Sequence, residues 1–292
     1  MDDLSFRALY WDILAYKGQH LHTDVLLPWQ PHAESAMEEL RPYGSADAIG
    51  WRKNRAIQWA YDDPFQVDLW ELYALSRVSD LLLLPFQAMS HAKSQAERHG
   101  WHPWAGPPIT IEERTAWFRS LGMRHVEHPT FHSFYHEIVE VEPAADPAEP
   151  ISLVRTIWPG FLLGQMMVCR AGVRVRGGLR HILKEIAEKS TLYWTFRRNN
   201  RPASDQSHGW GHNSQWRTDF RRDYEDVTAF WYNVDGDAPD EMEGRWADPD
   251  DDDGLTPSQR WELVVNRCFI VTLPSPPKWE PYPFPWPYRE DR

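Results

Sequence analysis

The residues best equipped for chemistry are Asn199-Asn200-Arg201-Pro202 and then the run Ser207 to Tyr224, which lie between two predicted strands. The second run carries His208, His212, Asn213, Gln215, Arg217, Asp219, Arg221 and Arg222, with almost no aliphatic side chain. Long irregular segments inside folded domains concentrate function, because a rigid scaffold can hold their polar groups toward a ligand. His208 and His212 can give or take a proton near neutral pH and are the candidate acid and base, with Asp219 available to orient one of them. Arg217, Arg221 and Arg222 can fork onto a carboxylate or phosphate, and Asn199, Arg201, Asn213 and Gln215 add donors to such a ligand. Gly209 and Gly211 leave the backbone free for close approach. The competing reading is structural: Asp219 and Asp223 can pair with the same arginines and tie the segment into a polar knot.

A second crowd of polar residues, His125, Glu127, His128, His132 and His136 with Glu137, raises metal ligation. Its spacing matches neither a helical pair of zinc ligands nor a finger, so no metal is assigned and a half-exposed strand face is the alternative. His20 and His22 read as a solvent-facing loop pair without a role. No Gly-x-Ser-x-Gly elbow occurs, and neither Cys169 nor Cys268 has an electropositive or glycine-flanked setting in sequence. Gly172 and Gly177-Gly178 are wrongly spaced for a phosphate loop or dinucleotide fingerprint, so no cofactor is expected. Asp250 to Asp253 lacks the glycine and terminal glutamate of a calcium loop and reads as a solvated acidic stretch.

Helices and strands must position these groups. Phe6, Leu9, Tyr10, Ile13 and Leu14 recur at helical spacing, with Lys17-Gly18 as a left-handed stop. Ala33 to Leu40 predicts a short helix, and Asp63-Pro64 opens a buried one through Leu75, after which Leu81 to Leu84 suits helix or strand. Thr110 with Glu113, and Thr256 with Gln259, form capping boxes ahead of two more helices. Phe131–Val141, Ile151–Trp158, Phe161–Cys169 and Gly172–Arg176 predict antiparallel strands of one sheet. Leu179 to Ala187 predicts an amphipathic helix, and Thr191–Phe196 and Val227–Val234 two further strands. The tail Pro274 to Tyr288 alternates proline with large aromatics and favours an extended path, docked on its own domain or presented to a partner.

The fold class expected is therefore α+β: a mainly antiparallel sheet packed with helices behind a helical N-terminal third. The expected divisions are a helical region 1–108, a sheet-bearing region 109–273 and a tail 274–292, or one compact domain throughout. A net charge of −12 repels phosphate backbones and excludes general nucleic-acid binding. The opening Met1-Asp2-Asp3 lacks a secretory signal, and the longest apolar stretches are too short to span a membrane, so a cytoplasmic location with reduced thiols is expected. The 17 tryptophans imply a core with wet edges, or binding anchors.

Ser207 to Tyr224, with Ser190 to Trp194 and Arg260 to Phe269, resembles segments of uncharacterised bacterial proteins, a resemblance that implies no catalytic or binding residue. Two functions follow from the residues themselves. One is a noncatalytic, acidic, Trp-rich protein that docks on a protein partner as an inhibitor or accessory factor. The other is an enzyme or small-ligand binder that uses the 199–224 segment to hold a small anionic ligand.

Overall fold

The computed structural model describes residues 5–51, 64–87, 105–188, 220–236, 256–272 and 286–292. Helix α1 (Phe6–Ala15) buries Phe6, Leu9, Tyr10 and Ile13, the stripe its spacing requires. Its stop is not a left-handed Gly18. Tyr16 turns extended, its hydroxyl donates to Asp24 at 2.5 Å and accepts the His20 N–H at 2.8 Å, and its ring fills the space beside the Gly18 backbone. Helix α2 (Leu27–Leu40) starts earlier than its apolar spacing indicates, after a π turn at His22–Leu26. The helix carries Pro28 near its start and Pro31 inside it, each of which removes an N–H donor. Helix α3 (Pro64–Leu83) carries the ambiguous apolar run in helical form, and every residue from Leu72 to Leu83 is buried. A helix enclosed on all sides has no amphipathic period to read.

Helix α4 (Ile111–Ser120) shows both bonds of its capping box: Glu113 N–H to Thr110 Oγ1 at 3.1 Å and Thr110 N–H to Glu113 Oε2 at 2.8 Å. Removing the first with Thr110→Ala should lower stability by about 1 kcal/mol, seen as a shifted urea midpoint with unchanged slope.

The strands form two sheets rather than one. The larger is antiparallel, in the order β1 (Arg124–His125), β4 (Phe161–Leu163), β5 (Met166–Cys169), β7 (Tyr224–Glu225), β8 (Ala229–Tyr232), β9 (Tyr288–Asp291). The smaller places β6 (Ala171–Gly177) between β2 (His136–Pro143), to which it is parallel, and β3 (Ser152–Trp158), to which it is antiparallel. The chain leaves one sheet at Cys169 and enters the other at Ala171, so Arg170 alone makes the corner. Gly172 is required there because a side chain would occupy the Trp158 ring.

The expected helix over 179–187 shrinks to α5 (Lys184–Ala187). Tertiary bonds replace the local ones: Gly178 N–H reaches Glu149 O at 2.8 Å and Leu183 N–H reaches Ile270 O at 2.8 Å. The strand expected over 227–234 is present as β8, shortened to Ala229–Tyr232 because Asp226 accepts from the Thr228 and Ala229 N–H groups and turns the chain ahead of it. Helix α6 (Pro257–Val265) has its Thr256–Gln259 capping box and stops before Cys268. Both cysteines are buried and neither is in a disulfide. Most of the expected aromatic tail, Pro274 to Pro285, lies outside the described residues, and Tyr288–Asp291 after it pairs as β9 with β8.

The principal core gathers α1, α2, α3 and α4 with Phe161, Met166, Phe220 and Tyr224, so the helical third and the larger sheet share it. Among the described residues no helix is long and apolar enough to cross a membrane.

Candidate functional site

The Arg170 corner, the approach to β7 and the end of α6 converge on one carboxylate. Asp223 is fully buried and takes Arg221 Nε on Oδ1 at 3.0 Å, with Arg170 Nη2 at 3.3 Å and Arg267 Nη2 at 2.6 Å on Oδ2. The Asn233 N–H adds a bond to Oδ1 at 2.8 Å. Burial by itself would raise this carboxyl, but Arg221, Arg267, Arg170 and that N–H together hold it well below the usual carboxylate range. Burial, with the mutual repulsion of the guanidiniums, lowers Arg170 to about 9 and Arg221 to about 10, which leaves both cationic at neutral pH.

The same arginines finish a helix. The last carbonyls of α6 have no intrahelical partner. Arg170 Nη1 donates to Val265 O at 2.8 Å, while Arg221 donates to Leu263 O at 3.4 Å and to Val264 O. Cations at this end also complement the helix dipole. Beyond it Arg267 adopts φ 61°, and Glu262 Oε2 accepts the Ile270 N–H at 2.7 Å, which folds the exit strand back over the helix.

Beside this cluster is a cavity of about 30 Å³, enough for about two waters or a small anionic head group. Ser76, Ser79 and Asp80 of α3 line it, with Glu137, Cys169, Arg170, Phe220, Arg221 and Arg267. Asp80 pairs with Arg77 at 2.9 Å, and Arg114 donates to Ser79 Oγ at 3.3 Å and Cys169 Sγ at 3.2 Å. Among the described residues, five guanidiniums (Arg77, Arg114, Arg170, Arg221, Arg267) thus stand with three carboxylates (Asp80, Glu137, Asp223), all of them buried.

Of the residues expected to act, Arg221 is in this cluster. Arg222 points the other way, forming a fork onto Asp235 at 2.7 and 2.6 Å and reaching Ala48 O at 3.1 Å and Tyr224 Oη at 3.0 Å. Asn199, Arg201, His208, His212, Asn213, Gln215, Arg217 and Asp219 lie outside the described residues, as do Thr191–Phe196 and Asp250–Asp253. The internal pairing weighed for Asp223 is present, with Arg170 and Arg267 as added partners.

Arg170, Arg267 and Cys169 escaped the sequence reading. A lone arginine inside the apolar run Met166 to Val173 was the available signal, since a buried guanidinium demands a buried counter-ion. The electropositive setting of Cys169, not visible as a motif, is built by Arg114 from α4 and by Arg170.

Of the histidines, His125 lies in β1 and His136 begins β2, while His128 and His132 precede that strand. His136 is buried; its Nδ1 accepts the His132 N–H at 3.0 Å, and His132 Nδ1 accepts the Phe134 N–H at 3.1 Å. Both neutral rings therefore carry their proton on Nε2, the wrong tautomer for Nε2 ligation. Burial, then the charge of His128, pushes His136 down to about 4. Among the described residues no three His, Cys, Asp or Glu side chains are grouped to hold a metal ion.

No family model matches the chain, and neither a curated protein nor a solved structure matches it.

Proposed function

We propose that the chain is a small-ligand-binding protein that takes the carboxylate or phosphate head group of a small anion in the Arg170–Arg221–Arg267 cavity. The observation that carries this reading is three guanidiniums converging on a single carboxylate beside a cavity. A further anion here would meet guanidiniums already desolvated and held in place. The protein-docking reading has weaker support: Trp11, Leu27, Val67, Val154, Leu179, Val227, Trp261 and Tyr288 are exposed but spread over eight segments. Single exposed apolar residues are ordinary.

Thermal unfolding tests the proposal. Acetate or phosphate, compared with chloride at equal ionic strength, should raise the melting temperature in proportion to the logarithm of its concentration, by about 2.7 kcal/mol at a hundredfold excess over Kd. Arg267→Gln should weaken that response several-fold. A melting temperature indifferent to both anions would remove the proposal.

A further inference from the structure

We infer that the turn His132–Tyr135 is a pH-sensitive flap, held shut on the aromatic face of strand β8 by neutral histidines and opened when they take protons. It is independent of the anion-binding reading and rests on hydrogen bonds inside the turn. His132 Nδ1 accepts the Phe134 N–H at 3.1 Å, and His136 Nδ1 accepts the His132 N–H at 3.0 Å. A proton added to either Nδ1 meets the N–H that this nitrogen had accepted, so a bond becomes a donor facing a donor. With both lost, the turn keeps only the Tyr135 and His136 N–H bonds to His132 O, at 3.1 and 3.0 Å.

The turn covers apolar surface. The rings of His132 and Phe134 lie 4.3 and 4.8 Å from that of Phe230 in β8, and Phe134 and Phe230 are 0% and 7% exposed. Among the described residues, the charges facing the two imidazoles mostly favour opening. His128 on the preceding loop stands 5.8 Å from the His132 ring and 6.0 Å from the His136 ring. Arg170 at the corner repels both once they are charged, and Arg292 after β9 repels His132. Glu290 of β9 opposes them, with Oε1 3.9 Å from His132 Nε2. Burial outweighs that attraction and lowers His132 as it lowers His136. At the end of the turn the Tyr135 hydroxyl bonds Glu225 of β7 and, at 3.1 Å, Arg292, an anchor that limits the opening to the residues before it.

The sign follows. His136 is pushed down to about 4 when shut and returns to the ordinary 6.5 when open, so between these values the open form binds the extra proton. For His136 alone, opening should become roughly 30-fold more frequent on going from pH 7.5 to pH 5. Amide hydrogen exchange of the whole chain, corrected for its intrinsic pH dependence, reads this on a peptide spanning 128–136. Exchange there should rise by that factor while peptides from α1 and α4 stay protected. His132→Asn with His136→Asn puts a non-titrating Oδ1 where each Nδ1 accepts, and should remove most of the rise. Unchanged protection of 128–136 at pH 5 would overturn the inference, since the rings then take protons inside a closed turn. A parallel rise in α1 and α4 would also overturn it, as a loosening of the whole fold. A full response in the double variant would assign the sensing to carboxylates such as Glu225 or Glu290. Should that variant not fold, the unsubstituted chain still decides: a rise that begins only below about 4 excludes the histidines.

Discussion

Replacing Asp223 by alanine should destabilise the protein by about 3–5 kcal/mol, because it leaves Arg170, Arg221 and Arg267 buried without their shared counter-ion. Urea denaturation would measure it, and a loss below about 1 kcal/mol would show that water or another acid neutralises the cluster. Asp223→Asn keeps the shape and removes the charge, so it should fall nearly as far.

The same site predicts acid sensitivity with a definite sign. Asp223 has its folded pKa depressed below the ordinary 3.8, so its contribution is fully present above that value and disappears as the pH falls through and below it. His136 acts in a different window. Its folded pKa of about 4 lies below the ordinary 6.5, so between these values the unfolded chain binds the extra proton and stability falls with pH. Melting temperatures recorded against pH should therefore decline from near 6.5 and continue to decline below 3.8. Asp223→Asn should flatten the lower part and leave the upper slope.

Arg222→Ala is the second change with a large expected effect, about 3–5 kcal/mol, by breaking a buried pair with Asp235. Burial lowers the Arg222 guanidinium, but the fork onto Asp235 more than offsets this and raises it overall. The Ala48 carbonyl and the rings of Tyr43 and Phe65 come from the helical third, while Tyr224 and Asp235 come from the sheet side. One guanidinium thus joins the two parts. Removing Asp235 as well should cost less than the sum of the single changes, since neither ion is then left alone. Strict additivity would show that the pair is not coupled.

Most elements were legible from local pattern, and their failures share a cause. The boxes Thr110–Glu113 and Thr256–Gln259 have their bonding partners three residues away, so sequence contains the whole interaction. The stripe of α1 is equally local, whereas the strand expected over Phe161–Cys169 is broken into two, Phe161–Leu163 and Met166–Cys169, which pair with each other. The helix expected at 179–187 lost to bonds from Glu149 and Ile270, and the single sheet became two because the chain turns at Arg170.

Read alone, the sequence determined the α+β class, the capped helices, the buried reduced cysteines and an arginine-rich approach to Tyr224, all set by neighbours within a few residues. The tertiary structure decided which arginines meet: Arg221 faces inward with Arg170 and Arg267, and Arg222 faces Asp235. It also decided that Cys169 stands on a charged wall. The partners at 170, 223 and 267 are separated by about fifty and forty residues of chain. No spacing rule spans such distances; only the packing of the α6 end against the corner between the sheets brings the charges together.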